Sequence, residues 1–466
     1  MEKTAGEMLA EKLLYKKQHA AEILSNEEID TAFSFCDGYR KFLDYAKTER
    51  RSVNFFKRVI LQNGYSEFDK TGKYMAGEKF YTVNRDKSII LVTMGKKPLS
   101  EGVKIVAAHI DSPRLDLKQV PVYEDSEIAY LKTHYYGGIK KYQWPTIPLA
   151  LYGTVIKADG SSAEVCVGDK EDDPVFYVSD ILPHLGQNQA KKPLAEAIDG
   201  ESLNIIVGSL PFKDDKISEK VKLNLLNILF EKYGIVEADF LSAELEAVPA
   251  FNSRDIGFDR SLIGAYGHDD RVCAYPAFMA ALACGRPEYT TVTILTDKEE
   301  TGSEGNTGLD SNYLEYFMAD LAATQSLEAR DVLSKSECLS ADVNAAYDPN
   351  FAEVFERKNS SYINYGVVVT KYTGARGKSG TSDASAEFMG KIRNLFDNDK
   401  IVWQTGELGK VDIGGGGTVA KYIAALNVDV IDVGVPVLSM HSPYEVVSKL
   451  DVYMSFKAFS SFLNQK

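Results

Sequence analysis

Side chains with the chemistry of metal ligands and proton-transfer groups follow several short apolar stretches of this chain. They are His109, Asp111, Asp269, Glu299, Glu300, Asp342 and His441. A catalytic zinc ion binds His nitrogen and Asp or Glu oxygen and leaves one position open for water. Two such ions, roughly 3.5–4 Å apart, are bridged by a shared ligand. Two imidazoles and several carboxylates therefore suit a dinuclear hydrolytic centre, provided that the fold brings them together.

The stretch Thr291–Gly305 indicates how such groups are positioned. Its first residues are β-branched and apolar, which is typical of a buried strand. Asp297, Glu299 and Glu300 follow at once, and a glycine-containing loop comes next. Open α/β sheets bind ligands at the carboxyl ends of their strands. We expect the carboxylates at that edge, although the pattern alone also suits an ordinary solvated strand end.

Three further segments present polar groups in similar positions. His109 and Asp111 end the apolar segment Lys104–Ala108, and side chains two residues apart on a strand point to the same face. Asp269 begins a predicted helix, where an aspartate is also a common N-cap. Asp342 follows another apolar run. Each residue alone has a structural explanation, so the argument depends on the whole set.

The chain is long enough for two domains. It has 466 residues, and from about residue 118 to 246 its helix–strand alternation gives way to short strands with turn signals. We predict a discontinuous α/β domain, residues 1–118 and 248–466, interrupted by a β-rich domain, residues 119–247. The predicted fold class is α/β, with a mixed sheet between helices.

Local patterns make further predictions. Apolar spacing predicts helices within Glu27–Gly64, and alternation predicts strands at Lys79–Val83, Ser88–Met94 and Tyr362–Tyr372. The aromatic segment His134–Gly138 is typical of an exposed loop. His184, between apolar neighbours, most often satisfies a local hydrogen bond. Gly414–Gly417 precede a helix without the Lys of a P-loop, which disfavours a nucleotide phosphate site.

Composition excludes several classes of protein. The net charge of -14 argues against a nucleic-acid partner. The longest apolar run, Cys273–Cys284, is shorter than the ~20 residues of a membrane span. The N-terminal residues lack the apolar core of a signal peptide, and the five cysteines form no C-x-x-C pair. We therefore expect a cytoplasmic protein with reduced thiols and no membrane or nucleic-acid partner.

Taken in order, these motifs resemble those of the aspartyl aminopeptidase/aminopeptidase I family of dizinc metallopeptidases, and in particular its bacterial branch. The motifs are AAHIDSPRLDL, LPHL, HDDR, DKEETGSEG, SADVNAAYDPN, the glycine run before a helix, and VGVPVLSMHS. They extend over nearly the whole chain in the family's order and spacing. The resemblance is therefore specific.

The resemblance implies a role for each residue. The implied ligands of two zinc ions are His109, Asp269, Glu300, Asp342 and His441. Asp269 would bridge the ions, and Glu299 would be the general base that accepts the proton of a bridging water to give the attacking hydroxide. Asp111 would orient His109 and complete the catalytic machinery. Cobalt or manganese suits the same ligands.

The resemblance also implies substrate and assembly. Family members are aminopeptidases that act on peptides and form tetrahedral dodecamers from dimers, with the inserted domain as the dimerisation domain. His184 would contact substrate in a neighbouring subunit's active site, and Lys371 would pair with an acidic substrate side chain. The branch that prefers acidic residues has histidines three and six positions after Asp342. Here those positions hold Ala345 and Asp348, which leaves neutral N-terminal residues as an alternative.

Two other classes of function remain open on the sequence. A dizinc amidase, deacetylase or carboxypeptidase of the same clan would use similar ligands on another substrate. A catalytically silent, self-assembling shell protein would keep the fold and lose the chemistry. The complete set of ligands together with Glu299 argues against the silent protein, because a decayed site should lack at least one of them.

Overall fold

The structure is a computed structural model that describes residues 3–465. Its helices are α1 (Ala5–Leu13), α2 (Ala20–Ile23), α3 (Asn26–Tyr45), α4 (Glu49–Gln62), α5 (Leu194–Ala197), α6 (Lys220–Tyr233), α7 (His268–Arg271), α8 (Ala274–Ala283), α9 (Tyr313–Ala323), α10 (Ala329–Leu333), α11 (Ala386–Asn398), α12 (Ala420–Ala424) and α13 (Lys449–Leu463). Among these residues, no helix combines the length and the apolar character that crossing a bilayer requires.

The strands form three sheets. In chain order they are β1 (Ser66–Glu67), β2 (Lys79–Asn84), β3 (Ser88–Thr93), β4 (Val103–His109), β5 (Arg114–Asp125), β6 (Ile128–Tyr136), β7 (Pro148–Ile156), β8 (Ser162–Val167), β9 (Phe176–Tyr177), β10 (Ile205–Gly208), β11 (Ala243–Pro249), β12 (Arg254–Ile256), β13 (Leu262–Ala265), β14 (Thr290–Thr296), β15 (Glu337–Ser340), β16 (Asn344–Ala345), β17 (Val367–Thr370), β18 (Trp403–Thr405), β19 (Asp429–Gly434), β20 (Pro436–Leu438) and β21 (Glu445–Ser448).

The large mixed sheet has the order β1-β2-β3-β14-β4-β15-β19-β17-β18 in the described chain. Its central strands β14, β4, β15 and β19 are parallel. Alternate residues of these strands face two hydrophobic cores. Val106 and Ala108 face the core with α3, α4, α8 and α13, whereas Ile105 and Ala107 face the core with α9, α10 and α12. The helices on both faces fit the predicted α/β fold.

The second sheet is antiparallel and comes entirely from residues 114–249. Its order is β11-β5-β6-β10-β9-β7-β8, and β11 also pairs with β7, which closes the sheet on itself. A separate core fills it, with Trp144, Tyr152 and Phe240 among its buried side chains. The predicted insert, residues 119–247, lies within this range.

A third sheet, β12-β13-β21-β20-β16, lies next to the large one in the fold. Ala265 pairs with Glu445 across β13 and β21. Because α7 follows β13 and a tight turn joins β20 to β21, this sheet holds the start of α7 close to residues 439–445. Two of the predicted ligands, Asp269 and His441, lie in these segments.

Two local predictions are wrong. The predicted strand Tyr362–Tyr372 is only β17, because Asn364 and Gly366 adopt left-handed backbone angles and donate their N–H groups to Asp451. The predicted exposed loop His134–Gly138 begins instead as the end of β6. Tyr136 in this strand is only 7% exposed. The predicted helices within 27–64 are present as α3 and α4, and Ser25 and Glu28 form a capping box at the start of α3.

Candidate metal centre

The parallel strands bring the predicted residues to one edge of the large sheet. Thr296 of β14 lies opposite His109 of β4, and Ser340 of β15 lies opposite Ala107. The residues that follow these strands therefore meet. Asp111, Glu299, Glu300 and Asp342 all come from such strand ends, as expected from the position of ligand sites in open α/β sheets.

One half of the centre is built around His109, which is buried. Its Nε2 lies 3.6 Å from Asp342 Oδ1, and its Nδ1 lies 3.5 Å from Asp111 Oδ1 and 3.9 Å from Asp270 Oδ1. These separations exceed a good hydrogen bond. The imidazole is thus surrounded by carboxylates without a close partner.

The other half is built around His441, whose side chain is 36% exposed. Its Nε2 lies 2.9 Å from Asp269 Oδ2 and 3.6 Å from Glu300 Oε1. Its Nδ1 is 2.8 Å from the carbonyl oxygen of Gly138. A carbonyl can only accept, so Nδ1 carries a proton and Nε2 is the ring nitrogen that faces the carboxylates.

The donor atoms fit metal ions. Three groups have ligand atoms within 4.8 Å of one another: His109, Asp269 and Asp342; Asp269, Glu300 and His441; and His109, Asp270 and Glu300. Within the described residues, His109 Nδ1, both oxygens of Asp270 and Glu300 Oε1 are buried without a hydrogen-bond partner. Buried polar atoms are normally paired. Imidazole nitrogen and carboxylate oxygen are the donors that zinc binds, so cations would satisfy these groups.

Asp111 organises the turn that carries both glutamates. Its carboxylate accepts the backbone N–H of Glu299 at 3.0 Å and that of Glu300 at 3.2 Å. The turn is possible because Lys298 adopts a left-handed conformation with φ 73°. The hydroxyl of Tyr136 donates a third hydrogen bond to Asp111, at 2.7 Å. Asp111 therefore fixes the position of the turn that carries Glu299 and Glu300 relative to Tyr136.

Glu445 does the same for the other half. Its Oε1 accepts the backbone N–H of His441 at 2.7 Å, and its Oε2 accepts that of Asp269 at 3.0 Å. One buried carboxylate therefore links the two segments that carry these side chains. The sequence did not indicate Glu445, whose one signal is its position four residues after His441. The choice of Asp269 over Asp270 as a ligand follows from the family's pattern alone, and Tyr136 was predicted only as part of an exposed loop.

The concentration of carboxylates shifts several pKa values. Burial, aided by the charges of Asp342 and Asp111, raises the pKa of Glu299 to about 8. Burial and the neighbouring Asp269 raise the pKa of Asp270 to about 6. Burial alone would lower the pKa of His441, but the Asp269 carboxylate raises it to about 10. Divalent cations would reverse these shifts, because they favour ionised carboxylates and neutral imidazoles.

Two predicted residues lie apart from this cluster. His184 is exposed in a turn of the insert, and within residues 3–465 it makes no side-chain hydrogen bond. The predicted local hydrogen bond is therefore absent from the described chain. Lys371 follows β17, and its ammonium group pairs with Asp383 rather than with the cluster. A cavity of about 1060 Å³ between α4 and the insert includes Arg50, Tyr152 and Glu244 but none of the clustered residues.

Comparison with known proteins gives the family. The Aminopeptidase I zinc metalloprotease (M18) family matches residues 42–463. A probable M18 family aminopeptidase 1 of Clostridium acetobutylicum is 47% identical over 460 residues, 97% of this chain and 99% of the relative. The crystal structure of an M18-family aminopeptidase from Thermotoga maritima has a TM-score of 0.92 at 42% identity, over 97% of this chain and 100% of that chain.

A second solved structure agrees. Aminopeptidase I from Clostridium acetobutylicum has a TM-score of 0.91 at 45% identity, over 97% of this chain and 100% of that chain. These matches confirm the resemblance carried by the motifs and the predicted α/β fold. The chain belongs to the aminopeptidase I (M18) family of zinc metalloproteases.

Proposed function

We propose that this enzyme removes the N-terminal residue from peptides with two metal ions, zinc in the first instance. The proposed ligands are His109, Asp269, Glu300, Asp342 and His441, with Asp269 bridging. The observation that carries the proposal is that Asp269 alone belongs both to the group with His109 and Asp342 and to the group with Glu300 and His441. Ions bound there would acidify a water and polarise the substrate carbonyl.

Glu299 is the proposed general base. It is partly buried beside His109, Asp342 and Asp269, but it is not a member of any candidate metal-ligating group. Its carboxylate would take the proton of the attacking water and then give it to the departing amine.

Asp111 is proposed to position rather than to bind metal. It accepts two backbone N–H groups from the turn that carries Glu299 and Glu300. It also lies 3.5 Å from His109 Nδ1, from where it orients the imidazole so that Nε2 faces Asp342. Loss of this carboxylate would disturb the base and one ligand together.

We propose that neutral N-terminal residues are cleaved faster than acidic ones. The positions that carry histidines in the acid-preferring branch hold Ala345 and Asp348. Lys371, the remaining candidate cation, is engaged by Asp383, which Lys378 also contacts. An acidic substrate side chain would have to displace this pair. Rates with Leu- and Asp-p-nitroanilide compare the two preferences directly.

We also propose that the enzyme is a homo-oligomer, a dodecamer built from dimers, in which His184 reaches a neighbouring active site. A solved yeast aminopeptidase 1 with a TM-score of 0.75 and 22% identity is a dodecamer. Exposure of His184 and the absence of a hydrogen bond to its side chain within residues 3–465 leave it free for such a contact. Co-expressed His184→Ala and Glu299→Gln subunits should form mixed oligomers that are more active than either parent. Mixed oligomers no more active than the parents would contradict the contact in trans.

The direct test of the function is hydrolysis of an aminoacyl-p-nitroanilide panel by the purified, assembled enzyme. Activity should be lost with a chelator and should return with zinc, cobalt or manganese. Peptides blocked at the N-terminus should resist cleavage, which separates an aminopeptidase from an amidase, deacetylase or carboxypeptidase. No hydrolysis with any of these metals, by enzyme that is folded and assembled, would refute the proposal.

A further inference from the structure

Three consecutive residues of the insert, Tyr136, Gly137 and Gly138, reach the candidate metal centre. They form the end of β6 and the turn after it, and each contacts a different residue of the site. Tyr136 contacts Asp111, Gly137 packs against Glu300, and Gly138 contacts His441. Both halves of the centre are therefore in contact with one short segment, which we call the insert contact segment.

Tyr136 is held rigidly. Its ring lies 4.1 Å from the guanidinium of Arg114, and that guanidinium is bound by Glu49 at 3.0 Å and by Glu246 at 3.2 Å. The phenol oxygen of Tyr136 donates to Asp111 Oδ2 at 2.7 Å. A hydrogen bond to an ionised carboxylate is among the stronger ones. Asp111 thus depends on the insert for one of its contacts.

Gly137 leaves little room for a side chain. Its φ is +75°, and an added Cβ would lie 3.1 Å from Glu300 Oε2 and 3.4 Å from Glu300 Cβ. The backbone of the insert therefore lies directly against a proposed ligand. Any larger residue would combine backbone strain with pressure on the Glu300 carboxylate.

Gly138 acts through its carbonyl. The Nδ1–H of His441 donates to this oxygen at 2.8 Å, so Nε2 is the ring nitrogen directed at Asp269 and Glu300 and the one that a metal ion would bind. The hydrogen bond made by the second ring nitrogen sets which nitrogen of a histidine can bind metal. Because His441 is partly exposed, few other contacts restrict its ring.

We propose that the insert contact segment is a positioning element of the metal centre, through which the inserted domain sets metal affinity. Tyr136 holds Asp111, and Gly138 holds the tautomer and direction of His441. The inference rests on the proposed dinuclear site. The three residues act through Asp111, Glu300 and His441, so they are positioning residues. The insert would then contribute to the chemistry within its own subunit, apart from its part in assembly.

The test compares Tyr136→Phe with Tyr135→Phe, in the full-length assembled enzyme stripped of metal. Tyr135 is the next residue of the same strand, points to the other face and is 40% exposed. The probe is Co²⁺, titrated while its visible absorption spectrum is recorded. Tyr136→Phe should weaken Co²⁺ binding by ~10–100-fold, the usual cost of losing an outer-shell partner, and should alter the spectrum. Tyr135→Phe should leave both unchanged.

A second pair of variants addresses the backbone contact. Gly137→Ala and Gly160→Ala both place a side chain at a left-handed position, with φ +75° and φ +81°. Only at Gly137 would the new Cβ meet the site, because no atom of the described residues lies within 4 Å of the position at Gly160. Gly137→Ala should weaken Co²⁺ binding, whereas Gly160→Ala should change only thermal stability.

The outcomes separate this inference from the proposed function. If wild-type enzyme binds Co²⁺ and hydrolyses peptides, equal affinities for Tyr136→Phe and Tyr135→Phe would overturn the inference alone. If wild-type enzyme binds no metal, the dinuclear function itself fails. A spectral change with weaker binding in Tyr136→Phe and Gly137→Ala, but in neither control, would support the segment as a positioning element.

Discussion

The two histidines of the centre differ in how they are held. His109 ends a regular strand, is 2% exposed, and is surrounded by carboxylates. His441 is 36% exposed, has φ 64° in a tight turn, and relies on one backbone carbonyl of the insert. One imidazole is oriented by the catalytic sheet and its core, the other by a contact between two parts of the chain far apart in sequence.

This difference suits two separate roles for the halves of the proposed centre, catalysis and access. In the proposed mechanism, the buried half would keep Glu299 and His109 in a fixed geometry shielded from water, which electrostatic catalysis requires. The more exposed half would leave room for substrate to enter and for metal to exchange. Asp111 and Glu445 each accept two backbone N–H groups from segments that carry candidate site residues, so the supports are alike and the two histidines differ mainly in burial.

The largest effect is expected in the buried half, at Glu299. Glu299→Gln keeps the size of the side chain but removes its basicity, and kcat should fall by at least ~10²–10⁴-fold. Metal content should be unchanged, since Glu299 is in no ligand group. Steady-state kinetics and elemental analysis measure both quantities. Glu304→Gln, at an exposed position of the same loop, is the control. Near wild-type turnover in Glu299→Gln would refute the role as base.

The next effect concerns the Arg114 junction, by which we mean Arg114 with its partners Glu49 and Glu246. Arg114 packs against the ring of Tyr136 beside the buried half of the centre. Arg114→Met leaves Glu49 and Glu246 buried without their cation, and breaking a buried pair costs ~3–5 kcal/mol of unfolding free energy. Urea unfolding followed by the fluorescence of Trp144, in a Trp403→Phe background, reports on the insert.

The matched control for this junction is Arg330→Met. Arg330 pairs with Glu328 at the surface, where both side chains are well exposed. Its loss should change stability by no more than ~1 kcal/mol. Equal effects of the two substitutions would mean that the Arg114 junction contributes no more to the free energy of unfolding than a surface ion pair does.

A smaller effect distinguishes the two metal positions. His441→Ala should leave one bound ion, because His109, Asp269 and Asp342 remain, and should weaken the second by more than the ~10–100-fold cost of an outer-shell change. Elemental analysis after dialysis measures the stoichiometry. In wild-type enzyme the first ion lost to chelator should be the one beside His441. Loss of both ions in His441→Ala would show that the two metal positions do not bind independently.

The smallest effect is a pH dependence of metal binding. The pKa of His441 is raised to about 10, chiefly by Asp269 against the opposing effect of burial, so at pH 6–8 the metal-free imidazole carries a proton that metal must displace. Affinity is therefore lost as pH falls and gained as pH rises, by up to ~10-fold per pH unit for each proton released. Co²⁺ titrations across this range should show the slope, and His441→Ala should reduce it. A flat profile would contradict the assignment.

Much of the fold could be predicted because local patterns and tertiary environment agree. The runs that became β3, β4 and β14 are β-branched and buried on both faces, so their limits were predicted within about two residues. The predicted strand at 362–372 failed because alternation cannot reveal that a distant carboxylate, Asp451, binds the backbone there. The periodicity of apolar residues indicates which face of a segment is buried. It does not indicate which distant side chain will bind the backbone of that segment.

The candidate site shows the same limit. Residues at strand ends were identifiable because their types change abruptly from apolar to acidic. Glu445 and Tyr136 were not, since an isolated glutamate or a tyrosine beside two glycines has no metal-binding signature. The contact of Tyr136 with Asp111 joins the second sheet to the segment after β4, and that of Glu445 with Asp269 depends on the pairing of β13 with β21.

The sequence by itself determined the α/β fold class, the family and the set of ionisable residues at the strand ends. Those follow from residue type, spacing and order, which are properties of the chain. Only the tertiary structure decided that Asp269 is shared between two groups of ligands, that Asp111 and Glu445 hold the two halves, and that the insert touches both. The physical reason is that hydrogen bonds and metal ligation depend on distances of a few ångströms between side chains hundreds of residues apart, and only the packed sheets set those distances.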